Sequence, residues 1–197
     1  MEIKYTNTTI TIPDSWDEIT LDKYLEFNKV SETINDDEED FENILKTIKV
    51  VEVITGATED ELDELFVEEM NELSTKVVEL VATFKAPTEN IDHFNINGID
   101  YVASDPSKLT NGEYISINLL RDQYKDNYDF FPRLLAVLIR PGKKEYDFET
   151  KEEKWVVEKF NKKDIANLEF RAKLFLAKAK AKDLLPVLTF FLSMSNE

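Results

Sequence analysis

Apolar and polar positions alternate along residues 3–12, IKYTNTTITI, with β-branched side chains throughout. That period of two predicts a pair of short strands turning about Thr6-Asn7. Pro13 closes the pair. The spacing then changes to a helical one: Leu21, Tyr24, Leu25 and Phe27 follow Thr20, a residue suited to cap a helix N-terminus. Phe41, Ile44, Leu45, Ile48 and Val51 predict a second helix, stopped at Gly56. Thr58 with Glu61 three residues on is a capping box, and Leu62, Leu65, Phe66 and Met70 form the expected buried face of the helix it opens. Leu73, Val77, Leu80, Val81 and Phe84 predict a further helix over about 72–84, with Ala86-Pro87 as its close.

The period of two returns at 92–103, DHFNINGIDYVA. Asn97-Gly98 stands there between Phe94, Ile96, Ile99 and Tyr101. Asn-Gly supplies the two positive-φ positions of a tight type I′ turn, so a second hairpin is expected. Helices are expected over about 111–124 and 129–140, the latter broken by Pro141-Gly142. The charged stretch 143–160 reads as a loop followed by a helix through Trp155, Val156 and Phe160. Ile165, Leu168, Ala172, Phe175, Leu176 and Ala179 mark a long amphipathic helix. Pro186 is placed in the first turn of a last one.

The fold expected is α+β and predominantly α-helical, a helical bundle with two short β-hairpins. Its halves are an acidic hairpin-plus-helices half, 1–88, and a charge-balanced one, 89–197, packed as one unit. Ile19-Thr20, Tyr24 and Leu25 precede Leu109-Thr110, Tyr114 and Ile115 by 90 residues, and each set follows a hairpin. This suggests a duplicated plan.

Charge sharpens the division. The net formal charge is −17. Residues 1–90 hold 7 Lys and Arg against 24 Asp and Glu, whereas residues 91–197 hold 17 of each sign. Nucleic-acid binding by the first half is therefore disfavoured. The chain has no cysteine, which excludes disulfides and thiolate chemistry and fits a reducing cytoplasm. The N-terminus has no secretory pattern, and no apolar run approaches the roughly 18 residues of a membrane span. No membrane association is expected.

Catalytic candidates are few. His93 is the only histidine, so no Ser–His or Cys–His pair can be assembled. Four isolated glycines, Gly56, Gly98, Gly112 and Gly142, build no phosphate loop. The acidic run 36–40 lacks the ligand alternation and central glycine of a calcium loop. Glu61, Glu64, Glu68 and Glu72 read as one solvated helical ridge. No catalytic, cofactor-binding or metal-ligating residue is assigned, and no cofactor is expected. The candidate partner-binding residues are Phe130, Phe131, Phe190, Phe191 and Trp155, aromatics in apolar surroundings that could serve core or interface.

The run IKYTNTTITIPDSWDEITLDKYLEF resembles the opening of small proteins of tailed-bacteriophage structural gene clusters, with a hairpin, a Pro-x-x-Trp turn and a Leu-x-x-Tyr helix. FFPRLLAVLIRPGKKEYD and FRAKLFLAKAKAKDLLPVLTFFL are similar to the Leu-rich helix, Arg-Pro-Gly break and terminal Phe-Phe helix of those proteins, as found in crAss-like and related phages. These pieces cover a third to a half of the chain, and the acidic segment 31–40 has no counterpart among them. The resemblance implies a non-catalytic phage assembly or virion protein, tail-assembly chaperone-like or a structural or cargo component of the particle. Its implied partners are other phage structural proteins of tail, portal or capsid, with a homo-oligomer left open. Its implied location is the host cytoplasm during assembly, or the virion. The alternative kept beside it is an acidic DNA mimic that inhibits a host nucleic-acid-binding protein, motivated by the charge of residues 1–90.

Overall fold

The alternation at the N-terminus becomes a hairpin of β1 (Glu2–Lys4) and β2 (Thr9–Thr11), with Ile3 opposite Ile10. The structure is a computed structural model that describes residues 1–33, 40–85, 93–105, 108–125 and 127–194. The acidic residues 34–39 and the Ala86-Pro87 boundary lie outside them. By its internal contacts the chain divides into two units, Met1–Ala86 and Pro87–Glu197.

In the first unit a single 3-10 turn, Trp16–Glu18, leads to α1 (Leu21–Ser31), then α2 (Asp40–Thr55), α3 (Glu59–Asp63) and α4 (Val67–Ala82). Thr20 caps α1, its hydroxyl accepting from the amide of Lys23 at 3.4 Å. Thr58 and Glu61 form the expected capping box on α3. Gly56 ends α2 in the left-handed conformation, φ +77°, where a side chain would be strained. Ile10, Ile12, Ile19, Val51, Ile54, Leu73 and Val77 form the core between hairpin and helices. The Trp16 indole N–H donates to the Leu80 carbonyl at 2.8 Å, and its ring packs on Phe27 and Phe84. Burying an aromatic ring with its polar group satisfied stabilises this seam without a desolvation penalty.

Two expectations need correction in this unit. The helix opened by Thr58 does not run on to Met70. It ends at Asp63, and α4 restarts at Val67 with Phe66 as its exposed N-cap residue. The Phe66 amide donates to the Glu69 carboxylate at 3.0 Å, a local bond that favours a fresh start over continuation. The ridge of Glu61, Glu64, Glu68 and Glu72 is thereby split between two helices. On α2, Ile44 and Leu45 are exposed, and the buried side runs through Val50, Val51, Val53 and Ile54.

The second unit begins with β3 (His93–Ile96) and β4 (Ile99–Ala103), joined by Asn97 and Gly98 at φ 53° and 83°. These are the two positive values a type I′ turn requires. Then come α5 (Asn111–Gln123), α6 (Asn127–Leu138), β5 (Ile139–Asp147), β6 (Glu152–Val157), α7 (Ile165–Lys178) and α8 (Ala181–Met194). The four strands form one antiparallel sheet in the order β3-β4-β5-β6. Leu134, Leu135, Leu138, Ile139, Phe175 and Leu184 are fully buried, and Tyr101 meets Phe175 edge-on at 5.2 Å. Arg133 clamps α6 to α7 by a bidentate pair with Glu169, at 2.8 and 2.9 Å.

Residues 143–160 depart most from expectation. They form a hairpin, not a loop and helix. Pro141-Gly142 lies inside β5, not at a helix break. β5 pairs with β4 only over Ile139–Pro141, then continues with β6 from Gly142↔Val157 to Asp147↔Glu152 as a two-stranded arm. Most of the arm's residues are exposed, which is why the usual apolar alternation is absent from its sequence. Gly142 is required at the arm's root: a Cβ there would lie 2.6 Å from Val102 Cγ2. Pro186 sits in the second turn of α8, because that helix begins five residues earlier, at Ala181. Among the described residues the protein is thus α+β and mainly helical, with one more hairpin than expected.

Candidate functional site

The aromatics singled out in the sequence do not gather at one place. Phe130 and Phe191 are buried in the second unit. Phe131 is half-buried, its ring 5.9 Å from that of Phe130. The side chain of Phe190 lies outside the described residues. Trp155, on β6, is half-buried between His93, at 4.5 Å between ring centroids, and the Lys144 ammonium at 5.4 Å. The exposed His93 ring is tilted 40° against that of Trp155.

Exposed apolar surface appears elsewhere. Phe148, between β5 and β6 at the end of the arm, is 86% exposed, with the Tyr146 ring edge-on to it at 5.1 Å. On α5, Tyr114, Ile115 and Leu119 all face solvent. Ile115 and Leu119 are four residues apart and so share one helical stripe.

The most organised polar site also belongs to the second unit. Thr110 and Glu113 form a capping box at the start of α5: the hydroxyl and amide of Thr110 donate to Glu113 Oε2 at 2.6 and 2.7 Å. The other carboxylate oxygen, Oε1, lies 2.5 Å from Arg140 Nη1 on β5. Both side chains are nearly inaccessible, 3% exposed for Glu113 and 9% for Arg140. Arg140 Nη2 donates to Ser104 Oγ at 2.6 Å, and the guanidinium sits 5.8 Å from the centre of the Phe160 ring. Among the described residues its buried Nε has no hydrogen-bond partner, and Nη1 touches the carboxylate without hydrogen-bond alignment. Burial pushes the Glu113 carboxyl upward, but the hydroxyl and amide of Thr110 together with Arg140 outweigh it and hold the group below the usual carboxylate range.

This pair forms part of the wall of a cavity of about 590 Å3, completed by Ser104, Asp105, Lys108, Val157, Glu158, Lys159 and Phe160. A buried ion pair beside a cavity is uncommon, since each charge loses its hydration.

Sequence reasoning passes over this site. Thr110-x-x-Glu113 carries the same signature as Thr58-x-x-Glu61 and could have been read. Arg140 could not, because its partner is 27 positions away and its burial depends on β5 replacing the expected helix end.

Known proteins offer no guide. No protein family, curated protein or solved structure matches the chain. Among the described residues no group of three or more His, Cys, Asp or Glu could hold a metal ion, and no helix is long and apolar enough to cross a membrane. Three acidic side chains of the first unit make structural bonds at its helix starts and surface. Glu61 caps α3. Glu69 accepts from the amide and hydroxyl of Thr6, both at 2.8 Å, and Glu72 pairs with Lys76 at 2.5 Å.

Proposed function

We propose that this chain is a non-catalytic, protein-binding component of tailed-phage assembly, either a chaperone-like factor or a structural or cargo component of the particle. The observation that carries the binding role is the exposed apolar surface: the Phe148 tip of a projecting arm and the Tyr114, Ile115 and Leu119 face of α5. Covering one such aromatic or aliphatic side chain is worth roughly 1.5–3 kcal/mol, so burial of both patches would drive association. The phage setting rests on the sequence resemblance alone. The DNA-mimic alternative rests on the charge of residues 1–90 alone.

The test is retention of phage structural proteins from infected-cell lysate by the tagged chain, with Phe148→Ser and Leu119→Ser as controls. Wild type should retain tail, portal or capsid proteins and the double variant should lose them at unchanged stability. Equal retention by both would refute the assignment of these surfaces. Mass spectrometry of purified particles then divides the roles: a virion component is counted there, and a chaperone is absent.

A further inference from the structure

The Asn97-Gly98 turn joins β3 to β4, and its two residues carry a reaction as well as a shape. An asparagine followed by glycine can close on itself, because no side chain shields the next amide. The Gly98 nitrogen, once it loses its proton to hydroxide, attacks Asn97 Cγ; the Cγ–Nδ2 bond breaks and ammonia leaves. Water then opens the five-membered imide at either carbonyl, giving aspartate or isoaspartate. Both residues are exposed, and beyond the chain neighbours nothing lies within 4 Å of the position a Gly98 Cβ would take, so water reaches the turn. The fold opposes the first step in three ways. The Gly98 N–H donates to Asn95 Oδ1 at 2.9 Å, so the nucleophile is engaged. Asn95 is itself oriented by its Nδ2 donating to Asp100 Oδ1 at 2.8 Å, across the register pair Asn95↔Asp100. Asn97 stands in the left-handed region at φ 53°. Ring closure needs Gly98 N on the same side of the Cα–C bond as the Asn97 Cβ, whereas the ψ of about 30° at the first centre of a type I′ turn puts it on the far side.

We infer that Asn97 is a site of self-modification that the Asn95 side chain holds latent. While Asn95 keeps the Gly98 amide, the asparagine persists; when the turn opens, Asn97 closes on Gly98 and becomes aspartate or isoaspartate. The two products differ in consequence. Aspartate tolerates the left-handed conformation and adds a negative charge to the turn. Isoaspartate routes the chain through Cβ and adds a backbone atom to a two-residue loop, which the Ile96↔Ile99 pair cannot span unchanged. Tyr101 and Val102 of β4 are buried, and Phe94 of β3 packs on Phe175, so a displaced hairpin loosens the core of the second unit. The rate of conversion reads how often this hairpin opens.

Incubation of the full chain in mildly alkaline buffer made with 18O-labelled water tests this, with digestion and mass spectrometry to separate the amide, aspartate and isoaspartate forms at each site. Asn111-Gly112, in the first turn of α5, is the internal reference, because the hydrogen bonds of the Asn95 side chain lie within the β3–β4 hairpin. Asn97 should convert at least about tenfold more slowly in the folded chain than in urea, since a single hydrogen bond is worth up to about that factor. Asn95→Ala should raise the folded Asn97 rate about tenfold and leave Asn111 unchanged. Asn95→Ser keeps a weaker acceptor for the Gly98 amide and should fall between. If Asn95→Ala melts the hairpin, Asp100→Ala decides: it frees the Asn95 side chain without altering the turn and should still raise the Asn97 rate. Equal conversion of Asn97 in the folded and urea-unfolded chain, or an Asn97 rate indifferent to these substitutions, overturns the inference. So does an equal rise at Asn97 and Asn111, which reports general loosening.

Discussion

Replacing Arg140 by Met should be among the most damaging single changes available in the second unit, and the reason can be put in numbers. The substitution leaves the Glu113 carboxylate 3% exposed without its counter-charge. With charge centres ~4 Å apart and an effective dielectric of ~20, the lost attraction is about 4 kcal/mol. Breaking a buried pair from one side is generally worth roughly 3–5 kcal/mol. Thr110 still donates two bonds to Glu113, so about 3 kcal/mol is expected. Glu113→Gln should cost a similar amount, because it strands Arg140 while keeping an acceptor for the Thr110 amide. The double variant strands neither charge. It should lose about 3 kcal/mol in place of the sum of about 6, a coupling of about 3 kcal/mol. Urea unfolding followed by Trp155 fluorescence in a Trp16→Phe background isolates the second unit, because the chain has two tryptophans and each unit holds one. The pH arm has a fixed sign. The folded carboxyl of Glu113 lies below its unfolded value of about 4.3, so its contribution is whole above that pH. It is lost as pH falls through the folded pKa, and Glu113→Gln should flatten that part of the stability profile. Strict additivity of the two single variants, within ~0.5 kcal/mol, would refute the account of a coupled buried pair.

Three further outcomes are expected. Gly142→Ala places a methyl 2.6 Å from Val102 Cγ2 and should destabilise the second unit by roughly 1–3 kcal/mol; Val102→Ala in the same chain should recover part of the loss in a thermal melt. Gly98→Ala, at φ 83° with open space around it, should cost about 1 kcal/mol from backbone strain alone, measurable by the same melt; a loss several times larger would mean the turn also packs against something. Phe148→Ser should leave the urea midpoint unchanged, since the ring is 86% exposed, and any destabilisation would show that the arm tip is covered within the chain.

What could be read ahead of the structure was whatever the chain encodes locally. Thr20, the Thr58–Glu61 box, Gly56 and Asn97-Gly98 each act through bonds or dihedrals within four residues, and each stands where its pattern placed it. The β5–β6 arm was hidden because its pairing buries little: strands exposed on both faces carry no alternation to detect. The Arg140 site was hidden for a different reason. Its chemistry exists only once β4, α5 and β5 converge, and none of Ser104, Glu113 or Arg140 is distinctive alone. Trp155 was read as a helix residue for want of the arm, and its actual neighbour His93 is 62 positions away.

The two units share more than a boundary. Each starts with a hairpin, followed by a helix capped by a threonine and then a second helix ending in an apolar run. In each, the third residue of the first of those helices reaches to the end of the second. Lys23 Nζ donates to the Ile54 carbonyl at 2.8 Å near the end of α2, and Glu113 meets Arg140 two residues past the end of α6. The contacts differ in sign, lysine to a carbonyl in one unit and glutamate to arginine in the other, but they fasten the same joint. The order diverges only afterwards, where the second unit adds β5 and β6 before its last two helices. That hairpin carries both Arg140 and the exposed Phe148 tip. Superposing the two units tests the duplicated plan, which predicts that the hairpin, first helix and second helix of each overlay while β5 and β6 have no counterpart.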